Sequence, residues 1–239
     1  MLKKYSDLET LNREAAELFV QAARSAVEKN GRFTVALTGG SSPVGLHRLL
    51  AAPPYRDEVP WEKTYVFWGD ERWVPLDDER SNAGMAFETL LHHVPVPGDQ
   101  IFPMRAEGTT AEAFAEGYEG TLRAHLGPEG RFDLVLLGMG PDGHTASWFP
   151  HTAVVHERDR WVAAYFLDAQ DMNRITLTVP VINRAAQIAV IAYGANKADA
   201  LYEVLQGERN PEEYPAQLID MADDNRVVWF VDDAAAAKV

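Results

Sequence analysis

Short apolar runs that stop at glycine constrain this chain more than any other feature. Phe33 to Leu37, Thr64 to Trp68 and Leu134 to Leu137 have strand length, and each passes at once into a polar loop carrying Gly39 and Gly40, Gly69, or Gly138. Helical patterns separate them. Leu8, Leu11, Ala15, Leu18, Phe19, Ala22 and Ala26 recur at steps of three and four and predict a helix ending near Asn30-Gly31. Helices are also predicted at Pro43 to Leu50, Asn82 to Leu91, residues 110 to 126, where Thr109 and Glu112 have capping-box spacing, and Asn196 to Gln206. Further strands are expected at Trp161 to Phe166, Arg174 to Val179, Gln187 to Ile191 and Val227 to Val231. The alternation implies a single α/β domain over residues 1–239, built on a largely parallel sheet with helices on both faces. In such sheets ligands bind at the carboxyl ends of strands, where these glycine loops lie.

Charge and composition remove several classes of function. A net charge of −14 opposes polyanionic partners, so neither nucleic acid nor an acidic membrane is expected. A small phosphate remains compatible, because a few local cations and backbone N–H groups outweigh a distant field screened over about 10 Å. There is no cysteine, hence no thiolate nucleophile, no disulfide and no Cys-ligated metal. The longest apolar runs fall short of the roughly 20 residues that span a bilayer. Met1 to Asp7 lacks a signal-peptide apolar core, and a cytoplasmic location is the default expectation. Nothing sets the assembly beyond a monomer or small homo-oligomer.

Three loops carry candidate chemistry. In Thr38-Gly39-Gly40-Ser41-Ser42-Pro43 the glycines let backbone N–H groups converge at a helix start, with Ser41 and Ser42 as hydroxyl donors. That is a phosphate cradle, although a Ser-capped turn fits the same residues. No Gly-Lys-Ser/Thr follows, which excludes a Walker loop. In Gly69-Asp70-Glu71-Arg72, a charged loop, Arg72 suits a phosphate or oxyanion and the acids suit sugar hydroxyls; a solvated charge cluster is the alternative. Gly138, Gly140 and Gly143 match Gly-x-Gly-x-x-Gly, but Pro150 breaks the helix a dinucleotide site needs and no strand-terminal acid stands about twenty residues on.

His144 is the candidate proton carrier, since imidazole acts as base and then acid near neutral pH. Asp142, in the same loop, can orient the ring or balance its charge; a histidine satisfied by backbone groups is the other reading. His151 and His156 form no His-Glu-x-x-His pattern with it, so no zinc site is expected, and there is no Gly-x-Ser-x-Gly elbow. Arg174 and Lys197 follow later; spacing alone does not bring them to the glycine loop.

Five blocks together carry a family resemblance. Asp133 through Ser147 with Phe149-Pro150, Gly39 through Pro43, Asp70-Glu71-Arg72 with Val74-Pro75 and Ser81-Asn82, Arg174 through Thr178 with Asn183, and Gly194 with Lys197 resemble the 6-phosphogluconolactonase family. The resemblance implies a Rossmann-like α/β fold and metal-free, cofactor-free hydrolysis of a phosphorylated sugar lactone, 6-phospho-D-glucono-1,5-lactone. It places the catalytic base on His144 and substrate contacts on Gly40, Ser41, Arg72, Arg174 and Lys197, to which the loop chemistry above adds Gly39, Ser42 and Asp70. The related glucosamine-6-phosphate deaminase/isomerases typically carry an aromatic residue where Arg72 stands and an acid where Phe149 stands. A non-catalytic sugar-phosphate sensor would be expected to bring a basic helix-turn-helix, which is absent here. Ser42 replaces a common Thr and Trp148 a common Leu.

Overall fold

The structure, a computed structural model, describes residues 1–222 and 226–239. In chain order the elements are β1 (Leu2–Tyr5), α1 (Leu8–Asn30), β2 (Phe33–Leu37), α2 (Val44–Leu50), α3 (Tyr55–Glu58), β3 (Thr64–Trp68), β4 (Asp70–Arg72), α4 (Asn82–Thr89), α5 (Ala111–Leu126), β5 (Leu134–Gly138), β6 (Val162–Leu167), β7 (Met172–Leu177), α6 (Val179–Ile182), β8 (Gln187–Ala192), α7 (Ala198–Leu205) and β9 (Val227–Asp232). Six strands make a sheet in the order β1-β9-β8-β5-β2-β3. All of its pairings are parallel, as the apolar runs predict.

The helices that cover this sheet begin and end where side chains satisfy their free backbone groups. Asp7 Oδ1 accepts from Thr10 N at 2.7 Å to start α1, and Gly31 ends it at φ 76°, a left-handed position that glycine enters without a Cβ penalty. Leu11, Ala15, Phe19 and Ala26 form the buried stripe between. For α5 the capping residue is Thr110, one position later than the capping-box spacing suggests: its hydroxyl accepts from Ala113 N at 3.3 Å. One hydrophobic cluster includes residues from Leu11 to Ala236, with Trp68, Trp148 and Trp229 among its largest buried side chains.

Three strands depart from the parallel pattern. Asp70–Arg72, expected as loop, is a short strand paired antiparallel to β7, which in turn pairs antiparallel to β6. Three consecutive charged residues give no alternation to read, and only a distant partner strand makes them β. The N-terminal strand β1 was likewise hidden, because Leu-Lys-Lys-Tyr is short and half-buried at the sheet edge and is defined by its pairing with β9. Strand β7 begins and ends two residues before the predicted span, and α4 ends at Thr89. Among the described residues no helix is long and apolar enough to cross a membrane.

The helices α2 and α4 meet through His47, which is fully buried. Its Nδ1 lies 2.9 Å from Thr89 Oγ1, and that hydroxyl donates to Met85 O at 2.8 Å. The imidazole therefore donates from Nδ1, leaving Nε2 unprotonated and, among the described residues, without a partner. Burial pushes its pKa down from 6.5 to about 4. Between those values the unfolded chain binds the proton that the folded one refuses. The associated stability is complete above pH 6.5 and is lost as pH falls toward about 4, a difference worth roughly 3 kcal/mol. Urea unfolding across this pH range should show that loss, and His47→Leu should flatten it.

Candidate active site

Four neighbouring parallel strands, β8, β5, β2 and β3, end on the same edge of the sheet, so the loops that follow them converge. Thr38, Gly39, Gly40, Ser41 and Ser42 after β2, Asp70 and Arg72 in β4, Gly138 at the end of β5, residues 139–141 with His144 and Ala146 after it, Lys197 after β8, and Asn82 and Arg174 together line one cavity of about 200 Å³. Every substrate-contact residue expected from the sequence lies on this lining. Asp142 is not on the lining; it is exposed beside it and bonded to His144.

The loop after β5 folds back on itself to present that pair. Gly140 N donates to His144 O at 2.8 Å, Gly143 N donates to Gly140 O at 3.1 Å, and Thr145 Oγ1 donates to Gly138 O at 2.8 Å. From outside, Ala216 N donates to Gly143 O at 2.8 Å. Gly143 has φ 74° and lies against Tyr214. Gly140 is required for a different reason: a Cβ there would stand 2.1 Å from His144 Nδ1 and 2.4 Å from Asp142 Oδ1. Of the three glycines that mimic a dinucleotide fingerprint, Gly140 thus makes room for the imidazole and its carboxylate. Ala146, on the cavity wall, holds φ 48°, an uncommon conformation for a residue with a Cβ.

Asp142 Oδ1 lies 2.5 Å from His144 Nδ1 and also accepts from His144 N at 3.2 Å. Burial alone would raise the Asp142 carboxyl, but the hydrogen bonds from His144 and the positive charge its ring carries when protonated outweigh it and hold it below its usual range. An ionised Asp142 fixes the proton of neutral His144 on Nδ1 and leaves Nε2 as the basic nitrogen. The His144 ring stacks on Phe149, with centroids 4.1 Å apart and planes 26° apart. Lys197 is half-buried on the cavity lining; burial lowers its pKa, and the negative charge of Asp142 offsets part of that.

Asp70 and Arg174 line the cavity but spend their polar atoms on one another and on neighbouring side chains. Arg174 Nη2 donates to Asp70 Oδ2 at 2.8 Å, Nε donates to Ser147 Oγ at 2.9 Å, and Nη1 donates to Gln170 Oε1 at 3.2 Å. Ser147 Oγ in turn donates to the same Asp70 oxygen at 2.6 Å. Asn82 Nδ2 completes the set, reaching Asp70 O at 2.9 Å. Glu71 turns away from the cavity to anchor the start of α4: its carboxylate accepts from Asn82 N and Ala83 N, both at 2.7 Å, from Arg72 N at 2.8 Å and from Ser81 Oγ at 3.1 Å.

Arg72 Nη1 donates to Arg80 O at 2.6 Å, while its buried Nε has no partner among the described residues. Gly39 packs so closely on Asn82 that a Cβ would lie 1.8 Å from Oδ1, and Tyr193 OH donates to Ser41 O at 3.0 Å, pinning the glycine loop from the β8 side. Asn82, Ser147 and Tyr193 escaped sequence reasoning as site residues, because ordinary polar residues on separate loops share no spacing that announces their meeting. Asn82 and Ser147 had one signal, their places in the blocks Ser81-Asn82 and Asp133 through Ser147 that carry the family resemblance. Among the described residues no group of three or more His, Asp or Glu side chains could hold a metal ion.

Known proteins resemble this chain in sequence and in fold. The family model for glucosamine-6-phosphate isomerases/6-phosphogluconolactonase matches residues 6–229. A Synechocystis 6-phosphogluconolactonase is 40% identical over 218 residues, covering 90% of this chain and 88% of that protein. The Trypanosoma brucei 6-phosphogluconolactonase structure superposes with a TM-score of 0.86 at 26% identity, covering all of this chain and 98% of the other. A monomeric glucosamine-6-phosphate deaminase shares the fold, at TM-score 0.84 and 20% identity over all of this chain and 99% of that one. With most of its length matched by one family model and by a close relative, the chain belongs to the glucosamine-6-phosphate isomerase/6-phosphogluconolactonase family.

Proposed function

We propose that this protein is a 6-phosphogluconolactonase, a lactone hydrolase that opens 6-phospho-D-glucono-1,5-lactone to 6-phosphogluconate, with His144 as general base. The observation that carries the reading is the His144–Asp142 pair at a cavity that also holds Arg72 and Lys197. In this reading His144 Nε2 takes a proton from water as the oxygen attacks the lactone carbonyl. The imidazolium, stabilised by Asp142, then returns a proton to the ring oxygen as the C1–O5 bond breaks. Water supplies both the new C–O bond and the proton on the leaving oxygen, so no covalent intermediate is needed. Backbone N–H groups of the glycine loop after β5, or Arg72, hold the oxyanion.

Arg72 and Lys197 supply positive charge for the phosphate, with Gly39, Gly40, Ser41 and Ser42 as its cradle, while Asp70 and Arg174 shape the wall beneath. A cytoplasmic location and action as a single α/β domain belong to the same reading. Deamination or isomerisation of an amino sugar is less well supported, since Phe149 gives the ring beside His144 no second proton carrier.

His144→Ala should lower turnover of freshly made lactone by roughly two to four orders of magnitude, as for a lost general base, with the circular dichroism spectrum unchanged. A folded variant with a near-normal rate would refute the role of His144. Ammonia release from glucosamine 6-phosphate should stay at background for the unaltered protein. Gly140→Ala, which forces the imidazole or its carboxylate aside, should cost about a hundredfold in kcat in the same assay, the scale of a 1 Å misplacement.

A further inference from the structure

We propose that Phe149 is a positioning residue for His144, a face that sets the tilt of the imidazole; the proposal rests on His144 being the base. One hydrogen bond fixes less than it appears on paper. The contact from Nδ1 to Asp142 Oδ1 at 2.5 Å holds one edge of the ring, but the ring remains free to rock about that axis, and Nε2 rocks with it. A flat surface against the ring removes this freedom. Phe149 provides it, with centroids 4.1 Å apart and an interplanar angle of 26°. Together the carboxylate and the phenyl ring determine where Nε2 points.

The platform is itself held. Phe149 is 8% exposed, its carbonyl accepts from Thr152 Oγ1 at 2.6 Å, and the preceding Trp148 is fully buried with its indole N–H donating to Leu177 O at 2.8 Å. The Arg174 guanidinium lies 5.4 Å from the Phe149 ring centroid, a cation–π distance, and Arg174 is fixed by Asp70, Ser147 and Gln170. A chain of contacts therefore runs from the buried Asp70–Arg174 pair through Phe149 to the base. It also gives Arg174 a function in the site that does not depend on touching a ligand.

The test compares Phe149→Leu, Phe149→Met and Phe149→Tyr with His144→Ala, measuring kcat and KM on fresh lactone and the proton chemical shift of the His144 ring. Leu and Met, which keep apolar bulk without a ring, should each lower kcat about tenfold or more with KM within about twofold, and Tyr should recover kcat to within about threefold. The His144 signal should lose its upfield ring-current shift in the Leu and Met variants and keep it in Tyr. A packing defect alone would lower thermal stability without that ring-dependent pattern. If His144→Ala abolishes turnover while Leu and Met keep the normal kcat, or if Tyr falls as far as Leu, Phe149 does not position the base and the general-base reading stands. If His144→Ala keeps its turnover, both readings fall together.

Discussion

The ion pair between Asp70 and Arg174, buried on both sides, is the interaction on which the cavity end of the molecule depends. Removing two charges from water is expensive, and the mutual attraction offsets that cost only where geometry is good and the remaining donors and acceptors are used. Here they are used: Ser147, Asn82 and Gln170 take up the rest. Loss of either charge would strand the other in a dry setting, at a cost of about 3–5 kcal/mol. The pair fastens β4 to β7, and through Ser147 it fastens the loop after β5 to both. Tyr165 of β6 adds a bond to Ser147 O at 2.7 Å. The small antiparallel sheet thus serves as a bracket for the loop that carries His144.

The chain reconciles an acidic surface with a phosphorylated substrate by local placement. Its net charge of −14 belongs to the whole molecule, whereas the cavity gathers Arg72, Arg174 and Lys197 on one lining. Arg174 is neutralised by Asp70 and held in place, which leaves Arg72 and Lys197 as the cations that an anion would meet. Close approach does the rest. Gly39 against Asn82 and Gly140 against His144 are positions where one added carbon would collide, so the cavity owes its shape as much to absent side chains as to present ones.

Much of this was legible in the sequence, for reasons that differ by element. The parallel strands announced themselves because β2, β5 and β8 are buried on both faces and are almost wholly apolar. The glycine loops announced themselves because polar residues follow those runs directly. What could not be read was any feature defined by a partner far along the chain. Asp70 and Arg174 lie 104 residues apart, and neither a charged triplet nor a lone arginine encodes their pairing. The strand character of Asp70–Arg72, the capping shift to Thr110 and the stack of Phe149 on His144 are likewise tertiary facts. Phe149 is the instructive case: in sequence it is an apolar residue before a proline, and in the fold it is a wall against the imidazole.

The reaction proposed for this site is direct attack on the lactone carbonyl by a water that His144 activates. Single-turnover hydrolysis in ¹⁸O-water, with protein in excess over fresh 6-phosphogluconolactone and mass spectrometry of both product and protein, tests it most directly. Direct attack predicts one ¹⁸O atom in the carboxylate of the first-turnover product and an unchanged protein mass throughout. Unlabelled first-turnover product, with label appearing in a protein carboxylate such as Asp142, or a covalent adduct on the protein, would contradict it.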